Sequence, residues 1–255
     1  MVRLMPFTQP ELITELNRLV AAAEAMNIQL RAIGGLAVRL HYKDDHPAFQ
    51  RDYPDLDFVV ARKQRREFES FMPEVGYSPN RQFNLLNGAH RQIYFQNGTE
   101  LKVDIFVGDF EMCHKIPLED RLAFDPLTIP LAELLLSKAQ VVEINRKDLL
   151  DLTSLLLFNE TSADDDSRIN LSQLARLCSA DWGLYKTVSI NLDRVADLVS
   201  KADSPLTESE RGLVLVRAQE ILRTFESMPK PLAWQLRDRV GTRVRWYEEV
   251  EEVQR

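Results

Sequence analysis

The sequence predicts an α+β protein, in which a small mixed β-sheet with flanking helices (residues 1–126) is followed by an α-helical bundle (residues 127–255). Two observations carry this prediction. Segments with the two-residue alternation of strands occur only before Pro126, where they are interleaved with segments of helical periodicity. After Pro126 every apolar segment has helical spacing. This change in pattern predicts two domains, 1–126 and 127–255.

The first half begins with a predicted capping box, in which the side chains of Thr8 and Glu11 satisfy free backbone donors at the start of a helix. That helix ends near Asn27. Asn97 and Gly98 predict a tight hairpin, because both residues tolerate positive φ. The other predicted elements are a strand at 28–33, a helix at 36–42, a loop at 43–54, a strand at 55–60, a helix at 62–75, a weaker strand at 81–86, and the hairpin strands at 90–95 and 100–107.

The second half is predicted to be helical throughout, with an acidic loop at 159–167 between two of its helices. The predicted helices are 131–142, 147–158, 171–179, 192–201, 208–227 and 232–250.

Composition and charge indicate an ordinary soluble globular protein, with 45% hydrophobic and 28% charged residues, which excludes disordered and fibrous classes. No apolar run approaches the roughly 20 residues that span a bilayer, and Met1–Glu11 lacks the apolar core of a signal peptide. We therefore expect a cytoplasmic protein without a membrane partner. Because the net charge is −7, nucleic-acid binding would require a local basic patch.

Three aspartates form the main candidate site. Asp55 and Asp57 alternate on a predicted strand, so both carboxylates project from the same face. Two like charges at that spacing repel each other unless a cation lies between them, and Mg²⁺ prefers such oxygen ligands. Asp104 lies among apolar residues on a later strand, where a carboxylate needs a partner. We expect the three to bind Mg²⁺, with Mn²⁺ as an alternative.

A pair of glycines, Gly34 and Gly35, lies upstream at a predicted strand-to-helix junction. Without side chains, their backbone N–H groups can approach a phosphate closely. Taken alone, the pair is more typical of a tight turn.

These features together resemble the nucleotidyltransferase superfamily, which combines a Gly-Gly or Gly-Ser pair, an apolar-Asp-x-Asp-apolar strand and a third Asp on a later strand. The matching segments are IGGLAV at 33–38, Arg51, and DLDF at 55–58. Within the superfamily the chain resembles the bacterial AbiEii-like group, over roughly residues 1–160. The residues similar to that group's helical segment are Glu133, Lys138, Arg146, Lys147, Asp148 and Asp151.

The resemblance implies a role for each matched residue, in a cleft between the two halves. Asp55 and Asp57 would hold metal, with Asp104 as third ligand and activator of the acceptor. Lys138 would reach a phosphate, oriented together with Arg146 by the nearby aspartates. The nucleotide-binding set implied in this way is Gly34, Gly35, Arg51, Lys138, Arg146, Asp148 and Asp151.

The activity implied by the resemblance is transfer of a nucleoside monophosphate from an NTP, such as ATP, to an acceptor hydroxyl. Likeness to the AbiEii-like group implies RNA, tRNA or a protein as acceptor, and a toxin role with a cognate antitoxin as partner. A small-molecule acceptor of the aminoglycoside type is the alternative, since the acids of the loop 43–52 are suited to a cationic substrate.

A catalytically inactive binding module with the same fold is the third hypothesis. Leu36 and Tyr53 stand where many members of the superfamily have Ser or Thr, which favours this hypothesis. Simpler roles also exist for single residues. Lys138 can be a lysine that extends from an amphipathic helix to solvent, Asp148 and Asp151 can be surface charges, and the basic segment 62–66 can be either a solvated helix start or a rim that steers a polyanion.

Overall fold

The computed structural model describes residues 7–42 and 45–249. The chain forms two compact units, the first comprising 7–40, 50–110 and 117–130, and the second 41–42, 45–49, 111–116 and 131–249. The structure confirms the predicted class, a mixed sheet with flanking helices followed by helices. No helix in the described part of the chain is both long enough and apolar enough to cross a membrane.

The first unit contains a five-stranded sheet in the order β1-β2-β5-β4-β3. Strands β2 and β5 are parallel, and the other neighbouring pairs are antiparallel. The strands are β1 (Leu30–Ile33), β2 (Asp55–Val60), β3 (Tyr77–Pro79), β4 (Arg91–Gln96) and β5 (Lys102–Val107). The helices of this unit are α1 (Gln9–Ala25), α2 (Gly34–Leu40), α3 (Arg65–Glu74) and α4 (Arg81–Asn87).

The central strands are buried on both faces, because successive residues along them are inaccessible to solvent. This holds for Phe58, Val59 and Val60 in β2 and for 103–107 in β5. Such continuous apolar runs are typical of strands whose two faces are both covered. The polar side chains of β2 are therefore confined to its first three residues, where Asp55 and Asp57 lie.

Two local predictions in the first unit are confirmed. Both the backbone N–H and the hydroxyl of Thr8 donate to Glu11 Oε2 at 2.7 Å, forming the capping box of α1. The hairpin between β4 and β5 turns at Gly98, whose φ is +79°.

One predicted strand is wrong, because residues 81–86 belong to helix α4. The side chain of Asn80 accepts a hydrogen bond from the N–H of Phe83 at 3.1 Å and caps this helix. The strand that pairs with β4 is instead β3, which is only three residues long and which the sequence pattern did not predict. The apolar pair Leu85 and Leu86, which favoured a strand, is exposed on α4.

The second unit is mainly helical, with short strands that were not predicted. Its helices are α5 (Leu131–Ala139), α6 (Arg146–Phe158), α7 (Leu171–Ala180), α8 (Trp182–Ser200), α9 (Glu208–Ser227) and α10 (Leu232–Val240). Short strands β6 (Phe110–Glu111) and β7 (Lys115–Ile116) precede these helices in the chain, with β6 at the boundary between the two units. Strands β8 (Thr161–Ser162) and β9 (Ile169–Asn170) lie near the ends of the acidic loop.

Two helix boundaries differ from the predicted ones for local reasons. Helix α8 begins well before residue 192, because Asp181 Oδ1 accepts hydrogen bonds from the N–H groups of Gly183 and Leu184. Helix α10 ends at Val240 because Gly241 has a φ of +62°. Val250, the predicted end of that helix, lies outside the described residues, as do Lys43 and Asp44 of the predicted loop.

A buried histidine connects three segments of the second unit. The ring nitrogen Nε2 of His114 lies 2.8 Å from the hydroxyl of Thr187. The same hydroxyl also accepts a hydrogen bond from Trp246 Nε1 at 3.0 Å. The N–H of the same residue, His114, donates to Gln140 Oε1. This arrangement gives His114 a packing role.

Acid should destabilise the fold through His114. Burial lowers its pKa below the ordinary value of 6.5, and the carboxylate of Asp181 offsets part of this shift. The unfolded chain therefore binds a proton at a higher pH than the folded chain, so the free energy of unfolding falls as pH drops below 6.5. We expect His114→Gln to flatten this dependence in melting temperatures recorded against pH. An unchanged slope would contradict the assignment.

Candidate active site

The parallel pairing of β2 and β5 brings the three predicted carboxylates together. Asp57 and Asp104 are Cα partners in this register, and Asp55 is the partner of Lys102. Because residues two apart in a strand share a face, all four side chains project from the same face of the sheet. The juxtaposition of the three aspartates predicted from the sequence is therefore present.

Asp104 is buried in an ion-pair network. Both of its oxygens accept hydrogen bonds from Arg91, Nε to Oδ1 at 2.8 Å and Nη2 to Oδ2 at 2.5 Å. These bonds raise the pKa of Arg91 and outweigh the effect of burial. Lys102 Nζ lies 3.4 Å from Asp104 Oδ2 and 3.2 Å from Asp55 Oδ2. Asp104, which is 1% exposed, thus has cationic side chains as partners.

Sequence reasoning missed Arg91 and Lys102 as members of this site. Lys102 precedes Asp104 by two residues on the same strand, so the alternation rule was sufficient to place it on the carboxylate face. Arg91 lies on β4, and its contact with Asp104 depends on the register in which Ile93 faces Asp104. No local pattern in the sequence specifies that register.

The two glycines lie directly against site side chains. Gly34 has a φ of +78°, and a Cβ at this position would lie 2.2 Å from Asp57 Oδ2. A Cβ on Gly35 would lie 2.1 Å from Arg51 Nη2. The Arg51 guanidinium also lies over the ring of Tyr53, 4.5 Å from its centroid. The glycines are therefore needed for the close approach of Asp57 and Arg51, and Tyr53 supports Arg51.

Asp55 and Asp57, at the start of β2, are the two carboxylates that would hold a divalent cation. Asp55 and Asp57 share a face and are partly exposed, so an ion and its remaining oxygen ligands can reach them. Within residues 7–42 and 45–249, no group of three or more His, Cys, Asp and Glu side chains is arranged to hold a metal ion. The role of Asp104 as a third ligand stays a prediction.

Three of the other predicted residues, Lys138, Asp148 and Asp151, form an ion-pair cluster in the second unit. Lys138 Nζ lies 2.8 Å from Asp148 Oδ1 and 2.9 Å from Asp151 Oδ2. Burial by itself lowers the pKa of Lys138, but the two carboxylates outweigh it and raise the pKa above its ordinary value. Asn145 caps α6 and also donates to Asp148, while Arg146 is exposed. The nucleotide-binding roles of these residues stay predictions.

The tryptophans of the chain line an open cleft of about 520 Å³ in the second unit. The residues concerned are Trp182, Trp234 and Trp246. Arg237 lies over the ring of Trp182 at 4.4 Å, and Lys230 lies over the ring of Trp234 at 5.5 Å. Side chains of this unit therefore already contact two of the rings, which indicates a packing role for these tryptophans.

No protein-family model and no curated protein sequence matches the chain. Several solved structures are similar to it, among them the following three. The lincomycin-bound lincosamide antibiotic adenylyltransferase LnuA is 15% identical, over 56% of this chain and 94% of that chain, with a TM-score of 0.39. An antigenic nucleotidyltransferase-like protein from Paracoccidioides brasiliensis is 18% identical, over 72% of this chain and 94% of that chain, with a TM-score of 0.40. JHP933 from Helicobacter pylori is 14% identical, over 88% of this chain and 95% of that chain, with a TM-score of 0.35. At such low identities and TM-scores, these similarities carry no argument about function.

Replacing Gly34 should disturb Asp57. We expect Gly34→Ala to lower the free energy of unfolding by about 1–3 kcal/mol more than Gly98→Ala, because only the former creates a clash. Gly98 is the matched control, since its φ of +79° is nearly the same and a Cβ there meets no atom within 4 Å. Urea unfolding of both variants measures the difference. Equal losses would show that Asp57 moves away at no cost.

Breaking the Lys138 cluster should be costly. Asp151→Ala leaves a largely buried ammonium with one carboxylate fewer, and we expect it to lower the free energy of unfolding by about 3 kcal/mol. The double variant Lys138→Met, Asp151→Leu removes the buried ammonium together with the buried carboxylate, while Asp148 keeps its hydrogen bond from Asn145, so it should recover most of this loss. Chemical denaturation measures both effects, and a double variant as unstable as the single one would contradict the explanation.

Proposed function

We propose that this protein transfers a nucleoside monophosphate from an NTP to an acceptor hydroxyl. The observation that carries the proposal is the arrangement at the start of β2. There, two carboxylates on one strand face lie beside a glycine turn, with Asp57 against Gly34 and Arg51 against Gly35. Oxygen ligands for a cation and a guanidinium for phosphate are thereby combined within one unit.

Each residue has a role in binding the nucleotide. Asp55 and Asp57 would hold Mg²⁺, which supplies positive charge to the triphosphate. Arg51, supported by the ring of Tyr53, would bind phosphate oxygens, for which its planar guanidinium is well suited. Gly34 and Gly35 keep the space above the turn open for these two side chains. Catalysis would then come mainly from positioning and charge neutralisation.

The reaction forms a bond between the acceptor oxygen and the α-phosphorus and breaks the bond from that phosphorus to the oxygen bridging to the β-phosphorus. The bridging oxygen keeps the electron pair and leaves with pyrophosphate. The hydroxyl proton passes to a carboxylate of the site, a role that the family resemblance assigns to Asp104.

A binding module without catalytic activity is the second candidate. It is favoured by the ion pairs of Asp104, because Arg91 and Lys102 already neutralise part of the carboxylate face. RNA, a protein and a small molecule are the three classes of acceptor for the active enzyme. Labelling of RNA or protein would support the toxin role and a search for an antitoxin.

Label transfer from each of the four α-labelled NTPs with Mg²⁺ tests the proposal, using a bacterial lysate divided into RNA, protein and small-molecule fractions. We expect Asp57→Asn to reduce labelling at least about 100-fold, because the metal contributes several kcal/mol to the stabilisation of the transition state. Asp52→Asn is the matched control, since Asp52 is exposed and precedes the strand.

The labelled fraction would name the acceptor class. Labelling by Asp57→Asn at the level of Asp52→Asn would contradict the proposed site. If the folded protein labels no fraction with any nucleotide, the binding module becomes the better explanation.

A further inference from the structure

Lys102 lies where two carboxylates of the site would share a cation. Its Nζ is 3.2 Å from Asp55 Oδ2 and 3.4 Å from Asp104 Oδ2, and so bridges neighbouring strands. This position follows from the β2–β5 register, in which Lys102 is the partner of Asp55 and lies two residues before Asp104. An ammonium between two carboxylates supplies the positive charge that a bridging metal ion otherwise supplies.

Arg91 also binds both carboxylate oxygens of Asp104. A bidentate guanidinium–carboxylate pair uses both oxygens of the acid and is among the stronger ion pairs in proteins. Replacing Arg91 by a metal ion at the buried Asp104 would leave a half-buried guanidinium without its carboxylate. Removing one partner of a buried pair in this way is strongly unfavourable.

The charges on this face also limit the number of metal ions. Arg91 and Lys102 supply two positive charges beside the three carboxylates, and Arg51 lies at the adjacent glycine turn. One divalent cation at Asp55 and Asp57 therefore already makes the net charge of this face positive. A second divalent cation beside Lys102 would add strong repulsion between cations a few ångströms apart.

We propose that Lys102 takes the place of a second metal ion, so that the site binds one divalent cation through Asp55 and Asp57, while Arg91 and Lys102 supply the positive charge at Asp104. This inference rests on the proposed function. It makes Asp104 a positioning residue that holds Lys102 and Arg91 on the carboxylate face, in place of the ligand and proton-acceptor roles that the family resemblance implies.

Titration of the full-length protein with Mn²⁺ alone, followed by the loss of the electron paramagnetic resonance signal of the free ion, tests the proposal. We expect one Mn²⁺ per chain. Asp57→Asn should weaken its binding at least about tenfold, whereas Asp104→Asn should retain it. Lys102→Met should gain a second, weaker Mn²⁺, because the bridging position between Asp55 and Asp104 then loses its cation.

The control for charge is Lys63→Met, which removes an exposed lysine of the same unit and should leave the stoichiometry at one. Two ions in the unaltered protein, or equal loss of binding in Asp104→Asn and Asp57→Asn, would overturn the proposal and leave the proposed function standing. The same would follow if Lys102→Met behaved like Lys63→Met. Absence of any binding that depends on Asp57 would instead overturn the metal site of the proposed function, and this inference with it.

Discussion

The parallel pairing of β2 and β5 is the constraint on which the candidate site depends. The two strands are far apart in sequence, and their register decides that Asp57 faces Asp104 and that Asp55 faces Lys102. A shift of one residue would turn every side chain of one strand to the opposite face. The apolar residues that follow the aspartates are buried on both faces, so this pair of strands lies inside the unit.

Once this register is fixed, the neighbouring features have direct physical causes. Asp57 lies so close to the turn after β1 that only glycine fits at position 34, where φ is also positive. Arg51 likewise requires glycine at position 35 and lies on the ring of Tyr53. The aromatic residue at position 53 thus has a supporting function that a serine or threonine there could not provide.

Burial of Asp104 explains the cations around it. A carboxylate in the middle of a sheet needs donors for its oxygens, and Arg91 and Lys102 provide them from the adjacent strand and from its own. In the second unit, the buried ammonium of Lys138 likewise has partners of opposite charge, the carboxylates of Asp148 and Asp151. In both clusters each buried charge is paired, as the cost of desolvation requires.

The sequence by itself determined the fold class, the capping box of α1, the hairpin at Gly98 and the shared face of Asp55 and Asp57, because each depends on local periodicity or turn chemistry. It could not determine that residues 81–86 form a helix, since the cap at Asn80 and the short β3 outweigh the local apolar pattern. Nor could it place Arg91 on Asp104. That contact depends on the pairing of strands distant in sequence, which only the burial of the whole sheet decides.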